Sequence, residues 1–228
     1  TSKSQVDSLQ IVMGQGDFGI DTRVPNMLYG SYVKCPAVGG KLVNANIADL
    51  KALPGIVDAY KVEGNGDVRE LLDGVGIVGT STWAVFEARK MLNATWDERN
   101  ANKDSWSAFT AFANQQGNVG AEVLHEQGDV DSALEDPDNT VISSFYEYPY
   151  LTHLCLEPMN CTAHYRPGKN GGKDHLEVWL PTQSGPRFQT LAKQRYGLEK
   201  DQLTIHVKRM GGSFGRRTSG EYLSLIHI

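Results

Sequence analysis

Short apolar runs separated by glycine and proline divide the first hundred residues into alternating strands and helices. A short helical segment is expected over 47–53, where Pro54 stops it. Thr80 or Ser81 can cap a longer helix that continues to Met91. Runs rich in β-branched and aromatic residues predict strands over 9–13, 27–34, 56–62, 74–79 and 93–96. The alternation predicts a compact α/β unit.

The second half of the chain predicts a polar connection and then a second group of elements. Within the connection, residues 106–114 have the pattern of a helix. An acidic cluster over 129–138 lacks the spacing of a calcium-binding loop and is expected to be a solvated surface. Beyond it, the pattern predicts a helix that ends at Gly197, together with strands over 140–148, 176–180 and 203–208.

Composition is that of an ordinary globular protein and disfavours several classes of partner. The net charge is -5, with 21% charged and 40% apolar residues. The sequence has no basic stripe with interleaved aromatic residues, so nucleic acid is not an expected partner. No apolar run approaches the roughly 18 residues of a membrane helix. Cys35, Cys155 and Cys161 form no CxxC pair, and the histidines have no metal-binding spacing. We expect free, mostly buried thiols and no metal held directly by the protein.

Gly14, Gly16 and Gly19 formally match the dinucleotide-binding pattern GxGxxG. That pattern must open a helix whose N-terminus faces the pyrophosphate, and an acidic residue should follow about 20 residues later. Here Pro25 and a predicted strand follow, and Lys34 lies where the acid should be. Nucleotide binding at this position is therefore not expected.

Three short motifs in the last third of the chain carry the candidate chemistry. They are His153 to Ala163, which contains Glu157-Pro-Met-Asn160; Glu177 to Gln183; and the glycine-rich run Met210 to Arg217. In this order and at this spacing they resemble the large subunits of the molybdenum hydroxylases, the xanthine dehydrogenase and aldehyde oxidase family. The resemblance is greatest to the branch of isoquinoline 1-oxidoreductase beta subunits.

The resemblance also covers most of residues 11–97, which are similar to the hammerhead α/β domain of that family. The matching stretches are Gly16 to Asp21, Val24 to Tyr29, Leu53 to Val57 and Gly76 to Arg89. The implied fold class is α+β, or mixed α/β. It comprises a hammerhead-like domain over 1–100, a connecting segment over 101–139, and the truncated start of a molybdopterin-binding domain over 140–222.

Within this resemblance, Gln183 takes the place of the glutamine that hydrogen-bonds the oxo ligand of molybdenum. A glutamine amide offers two donors without adding charge. The cofactor-facing loop corresponds to Gly211, Gly212, Ser213, Phe214, Gly215 and Arg216. Glycines in such a loop let backbone amides approach an anion or a flat heterocycle, although the run could also be a simple turn. Molybdenum itself would be held by the pterin, not by the protein.

Three residues near this loop leave alternatives open. The family has a glycine where this chain has Ser213, and serine costs about 1–2 kcal/mol there if that position needs a positive φ. Phe214 would press on the molybdenum centre, but it could instead be a core aromatic residue. Glu157 could be a base, yet the family's catalytic glutamate lies much further toward the C-terminus. Glu157 and Asn160 are therefore expected to fix a loop near the cofactor.

The resemblance implies a molybdopterin-dependent oxidoreductase that hydroxylates an N-heterocycle or an aldehyde with water as the oxygen source. The cofactor would be in the cytosine dinucleotide form, and electrons would pass to 2Fe-2S clusters on a partner subunit. A chain without the catalytic glutamate is expected to be inactive alone. The alternatives are a non-catalytic α/β scaffold or binding module, and a phosphate loop, which lacks the GxxxxGK[ST] spacing.

The last six residues, Leu223 to Ile228, break the pattern of the preceding region. They are encoded by CTGTCTCTTATACACATC, the sequence of a transposase adapter used in library preparation. This predicts an adapter-derived tail over 223–228 on a gene fragment, with a genuine apolar C-terminus as the alternative. The first residue is Thr1 and not Met, which leaves the bacterial cytoplasm and periplasm equally open.

Overall fold

The structure is a computed structural model that describes residues 5–67, 70–116, 122–125 and 127–220. The predicted tail over 223–228 lies outside the described residues. The chain forms two compact units. One contains the residues up to Asn102 together with those from His153 onward, and the other is Lys103–Thr152.

The regular elements follow one another as short strands and helices. In chain order they are α1 (Ser8–Val12), β1 (Tyr29–Lys34), β2 (Lys41–Ala45), α2 (Ile47–Lys51), β3 (Ile56–Val62), β4 (Gly74–Gly79), α3 (Thr82–Lys90), β5 (Ala94–Asp97), α4 (Trp106–Gln116), α5 (Val130–Glu135), β6 (Thr162–Arg166), β7 (His175–Leu180), α6 (Gly185–Tyr196) and β8 (Leu203–Val207). Short 3-10 turns lie at Gly19–Asp21, Lys200–Gln202 and Arg216–Thr218.

The N-terminal part of the first unit is built on an antiparallel sheet of order β1-β4-β3, beside the antiparallel pair β2-β5. All six residues of the central strand β4 are buried. Its glycines admit aromatic rings across the sheet, since a Cβ on Gly76 would lie 2.7 Å from Cζ of Tyr60. Helix α3 covers this sheet, and its first turn is capped by Ser81 Oγ, which accepts from the Ala84 amide at 3.1 Å.

The C-terminal part of the first unit is a β7-α6-β8 crossover with β6 on the other edge of the sheet. Strand β6 pairs antiparallel with β7, and β8 pairs parallel with β7. Alternate residues of β7 face α6, as period-2 geometry requires. They form one core with the buried face of the helix, comprising Leu176, Val178, Leu180, Phe188, Leu191 and Ala192. Gly197 ends the helix in the left-handed conformation, at φ 66°.

The second unit, Lys103–Thr152, contains α4 and α5. Trp106 and Phe109 of α4 cluster with Tyr150, whose ring centroid lies 5.4 Å from Trp106 and 5.0 Å from Phe109. Asp129 caps α5 by accepting from the Ser132 amide at 3.0 Å. The acidic residues over 129–138 are all exposed, so the predicted solvated surface is confirmed. No helix in the described ranges is long and apolar enough to cross a bilayer.

Most predicted elements are confirmed, and two predicted strands are wrong. The run over 9–13 lies in helix α1, because a short apolar run fits either period and Leu9, Val12 and Met13 have helical spacing. Residues 140–148 form no strand, since they have no pairing partner among the described residues and lie exposed. Three elements were not predicted, namely β2, α5 and β6.

A buried ion pair joins the segments that lie between these elements. Arg217 is 0% exposed and Glu157 is 7% exposed. Arg217 Nη2 donates to a Glu157 carboxylate oxygen at 3.0 Å and to the Glu157 carbonyl at 2.8 Å. Its Nε donates to the Gly212 carbonyl at 2.8 Å. One guanidinium therefore holds the loop before β6 against the loop after β8.

The Glu157 carboxylate accepts hydrogen bonds from four donors, which belong to three segments of the chain. One oxygen accepts from the Ile20 amide at 3.0 Å and from Asn160 Nδ2 at 2.9 Å. The other accepts from the Gly211 amide at 2.7 Å and from Arg217. These bonds offset the cost of burying the charge, and they tie the turn at Gly19–Asp21 to both loops.

Phe188 fills the core between α6 and the β6-β7-β8 sheet and is fully buried. We expect Phe188→Ala to lower the free energy of unfolding by about 3–5 kcal/mol through the cavity it leaves. Urea denaturation of the chain measures this loss. Phe86→Ala is the matched control, because Phe86 is exposed on α3. Equal losses in both variants would contradict this placement of the core.

Removing Arg217 would leave the Glu157 charge buried without its partner. We expect Arg217→Met to destabilise the fold by about 3–5 kcal/mol, measured by urea denaturation. The double variant E157Q/R217M should recover part of that loss, because a neutral amide carries no buried charge. Arg99→Met is the control, because Arg99 pairs with Asp97 at a site where 85% of its side chain is exposed. An Arg217→Met variant as stable as Arg99→Met would refute the importance of the buried pair.

Candidate functional site

The glycine-rich loop follows β8 and adopts several left-handed backbone conformations. Gly212 has φ 97° and Gly215 has φ 87°, values that a glycine adopts without strain. Phe214 has φ 53°, which costs a bulky residue of the order of 1–3 kcal/mol. Ser213 is not among the residues with positive φ, so the penalty considered for serine at this position does not arise. The strain in this loop lies at Phe214.

The loop presents four consecutive backbone amides. Within the part of the chain that the structure describes, the N–H groups of residues 212–215 donate to no other group. Positive φ at Gly212, Phe214 and Gly215 turns the backbone sharply here, and backbone amides left without a partner in such a turn can bind an anion. Beyond Gly215 the space is open, since a Cβ built on it meets no atom within 4 Å.

At Gly211 a side chain is excluded by a close contact and not by the backbone conformation. Its amide donates to Glu157 at 2.7 Å, and a Cβ on Gly211 would lie 2.5 Å from the Cβ of Glu157. The structure therefore places Gly211 against the buried carboxylate beneath the loop. Gly212 lies over Cys155, whose thiol donates to the Ser213 carbonyl at 3.4 Å.

Gln183 lies directly beside this loop. The backbone N–H of Gln183 donates to the Arg217 carbonyl at 3.2 Å, and the Thr182 hydroxyl donates to the same oxygen at 3.2 Å. The side chains of Ser213 and Gln183 are also hydrogen-bonded, with the serine hydroxyl donating to Gln183 Oε1. The segment after β7 and the glycine-rich loop, predicted from two separate motifs, thus meet in one place.

Phe214 is 68% exposed, so the alternative that it belongs to the core is wrong. A large apolar ring held outward in a strained conformation is a typical sign of a functional position. Arg216 is half-buried, and its carbonyl accepts from the Ser219 hydroxyl at 2.8 Å. Arg217, by contrast, is buried, and its guanidinium hydrogen-bonds Glu157 and backbone carbonyls.

The outer face of the β6-β7-β8 sheet carries the Trp179 of the second motif. Its ring stacks on His206 with centroids 4.9 Å apart. His206 hydrogen-bonds Glu177 at 2.9 Å, and this bond together with Arg166 holds the pKa of the Glu177 carboxyl below its usual range. Below the sheet, burial raises the pKa of the Cys161 thiol to about 12, so this thiol stays protonated and unreactive.

The chemistry of these donors fits the implied cofactor. Four amides and the Gln183 carboxamide are neutral donors suited to oxygen and sulfur acceptors. The absence of a Cβ at Gly212 and Gly215 leaves room for a flat group to approach the backbone. Sequence reasoning identified these residues and expected Glu157 to fix a loop near the cofactor, but it missed the burial of Arg217. The two adjacent arginines after the loop were the available signal.

Comparisons with known proteins match the chain on both sequence and fold. The family described as molybdopterin cofactor-binding domain matches residues 103–227, more than half of the chain. The beta subunit of isoquinoline 1-oxidoreductase from Brevundimonas diminuta is 28% identical in an alignment of 227 residues that covers 95% of this chain and 27% of that protein. A nicotinate dehydrogenase subunit from Pseudomonas putida is 24% identical and matches 96% of this chain, but only 18% of its own length.

The fold agrees with solved structures. Quinoline 2-oxidoreductase from Pseudomonas putida 86 superposes with a TM-score of 0.66 at 16% identity, over 99% of this chain and 32% of that one. Aldehyde oxidoreductase from Desulfovibrio gigas gives a TM-score of 0.65 at 16% identity, over 97% of this chain and 28% of that one. At such identities the likeness shows the fold alone. With the family match over 103–227, the chain belongs to the molybdopterin cofactor-binding domain family of the molybdenum hydroxylases.

Proposed function

We propose that this chain supplies part of the cofactor site of a molybdopterin-dependent hydroxylase, an oxidoreductase that uses water as its oxygen source. The observation that carries the proposal is the meeting of Gln183 with the unpaired amides of residues 212–215 on one exposed loop. Neutral, preorganised donors of this kind stabilise negative charge that develops on an oxygen during reaction.

Each residue has a separate role in this proposal. The Gln183 carboxamide and the loop amides of Gly212, Ser213 and Gly215 would hold the cofactor by donating to its oxygen and sulfur acceptors. The exposed Phe214 ring would shield it from water. When bound, molybdopterin supplies the two-electron chemistry, and the protein supplies position and electrostatics. Glu157 is not the base, because its carboxylate is buried and saturated by donors.

The substrate class in this proposal is an N-heterocycle or an aldehyde. The names of the related proteins support both, since they include isoquinoline, nicotinate and quinoline enzymes as well as aldehyde oxidoreductases. Two relatives are named as one subunit of an enzyme, which supports a partner subunit with 2Fe-2S clusters. The cytosine dinucleotide form of the cofactor and the domain limits at residues 100 and 140 belong to the same proposal.

This chain spans 27% and 18% of the two curated relatives. The proposed activity is therefore that of a larger subunit, which also provides the catalytic glutamate and the remaining pterin-binding segments. The non-catalytic scaffold is the weaker candidate. Its main support was Ser213 in place of glycine, and that residue does not need the left-handed backbone that only glycine adopts freely.

The test begins with the source DNA, read across the Tyr222 codon and onward. The reading frame is then expressed together with the neighbouring iron–sulfur gene in a molybdenum-replete bacterial host. We expect about one molybdenum per purified subunit, and product oxygen that derives from ¹⁸O-labelled water. A correctly folded, complete subunit that contains no molybdenum would refute the proposal and leave the scaffold as the better account.

The role of Gln183 has a direct test in the same enzyme. Gln183→Ala removes one preorganised donor, so we expect kcat to fall about a hundredfold while the molybdenum content stays unchanged. Gln189→Ala is the matched control, because Gln189 is an exposed residue of α6. If both variants keep wild-type kcat, Gln183 does not contact the reacting group.

A further inference from the structure

We propose that Ser213 is a positioning residue that orients the Gln183 side-chain amide. The proposal rests on the proposed function of the glycine-rich loop. The Ser213 hydroxyl donates to Gln183 Oε1 and so holds the carboxamide beside the loop. Both N–H donors of Nε2 are then left for an oxygen acceptor brought to the loop.

The need for such a contact follows from the freedom of an exposed glutamine side chain. Its three side-chain torsions allow many rotamers, and ordering them when a ligand arrives costs conformational entropy. A carboxamide that is already held beside the loop avoids part of this cost.

Both partners of this hydrogen bond are fixed to the same buried support. The Gln183 backbone amide donates to the Arg217 carbonyl at 3.2 Å. The Ser213 carbonyl accepts from the Arg216 amide at 2.9 Å and from the Cys155 thiol at 3.4 Å. The serine hydroxyl therefore joins two segments that the Glu157–Arg217 pair already holds, and little freedom is lost when the bond forms.

This role gives a reason for the departure at position 213. The family pattern has glycine there, and a glycine has no hydroxyl to offer the glutamine. Because Ser213 does not need a positive φ, the loop accepts the side chain without backbone strain. The chain thus adds an orienting donor at a position where the backbone conformation permits one.

The first test uses the 228-residue chain itself and needs no cofactor. In ¹⁵N-labelled protein, the Gln183 side-chain amide should be more ordered by NMR relaxation than that of the exposed Gln189. Ser213→Ala and Ser213→Gly should reduce its order to the level of Gln189, while Ser213→Thr should keep it. Ser219→Ala is the control, because that hydroxyl donates to Arg216 and not to Gln183. An amide equally ordered in Ser213→Ala and wild type would overturn the proposal.

The second test uses the complete molybdenum-loaded enzyme. Ser213→Ala should lower kcat about two- to tenfold with KM unchanged, the effect of one lost neutral hydrogen bond, and Ser213→Thr should restore it. The Mo(V) electron paramagnetic resonance spectrum should shift in Ser213→Ala and not in Ser219→Ala. If molybdenum is bound and neither kcat nor the spectrum changes, the inference fails and the proposed function stands. If no molybdenum is bound, the proposed function fails and this role fails with it.

Discussion

The ion pair between Glu157 and Arg217 is the interaction on which the site depends. It lies beneath the glycine-rich loop, and both side chains hydrogen-bond the segments around them. Buried charges are costly, so such a pair adds little net stability over apolar residues, but losing one partner leaves the other charge unpaired. Here it specifies one arrangement of three irregular segments that regular secondary structure could not fix. The two motifs of the candidate site are held together by the backbone of Arg217.

The base of the loop above this pair is held by hydrogen bonds, and its outer side is exposed. Gly211 is pressed against Glu157, whereas residues 212–215 leave their amides unpaired within the described chain. The positive φ of Phe214 stores strain that the fixed base of the loop sustains. An arrangement of this kind needs little reorganisation when a group with oxygen acceptors arrives, which is the property expected of an electrostatically preorganised site. The hydrogen bond from Ser213 restrains the Gln183 side chain in the same way.

Sequence patterns predicted the helices and strands that have a clear hydrophobic period. They failed for segments whose conformation depends on pairing with another strand. Strands β3, β4, β7 and β8 and helices α3 and α6 have strong apolar runs or caps, and the structure contains all of them. Residues 140–148 have strand composition, yet a strand exists only with a partner. Strand β6 was missed because its residues Thr162 to Arg166 are mixed in polarity and only partly buried.

The residues of the candidate site and a loop-fixing role for Glu157 were predicted from the sequence, but the burial of Arg217 beneath the loop was not. Gln183 and the glycine-rich loop came from a family resemblance, and their adjacency in the structure agrees with it. Nothing in the local pattern showed that Arg217 is buried while Arg216 is not, because both follow the same glycine. The partner of a buried arginine is set by tertiary contacts over 60 residues, which no short motif encodes.

Anomalous X-ray diffraction at the molybdenum edge, on crystals of the complete enzyme, tests the central claim most directly. The account predicts one anomalous peak at the open face of residues 212–215, beside the Gln183 amide, above an intact Glu157–Arg217 pair. A molybdenum peak remote from this loop would contradict it, as would a loop whose amides are covered by the rest of the polypeptide.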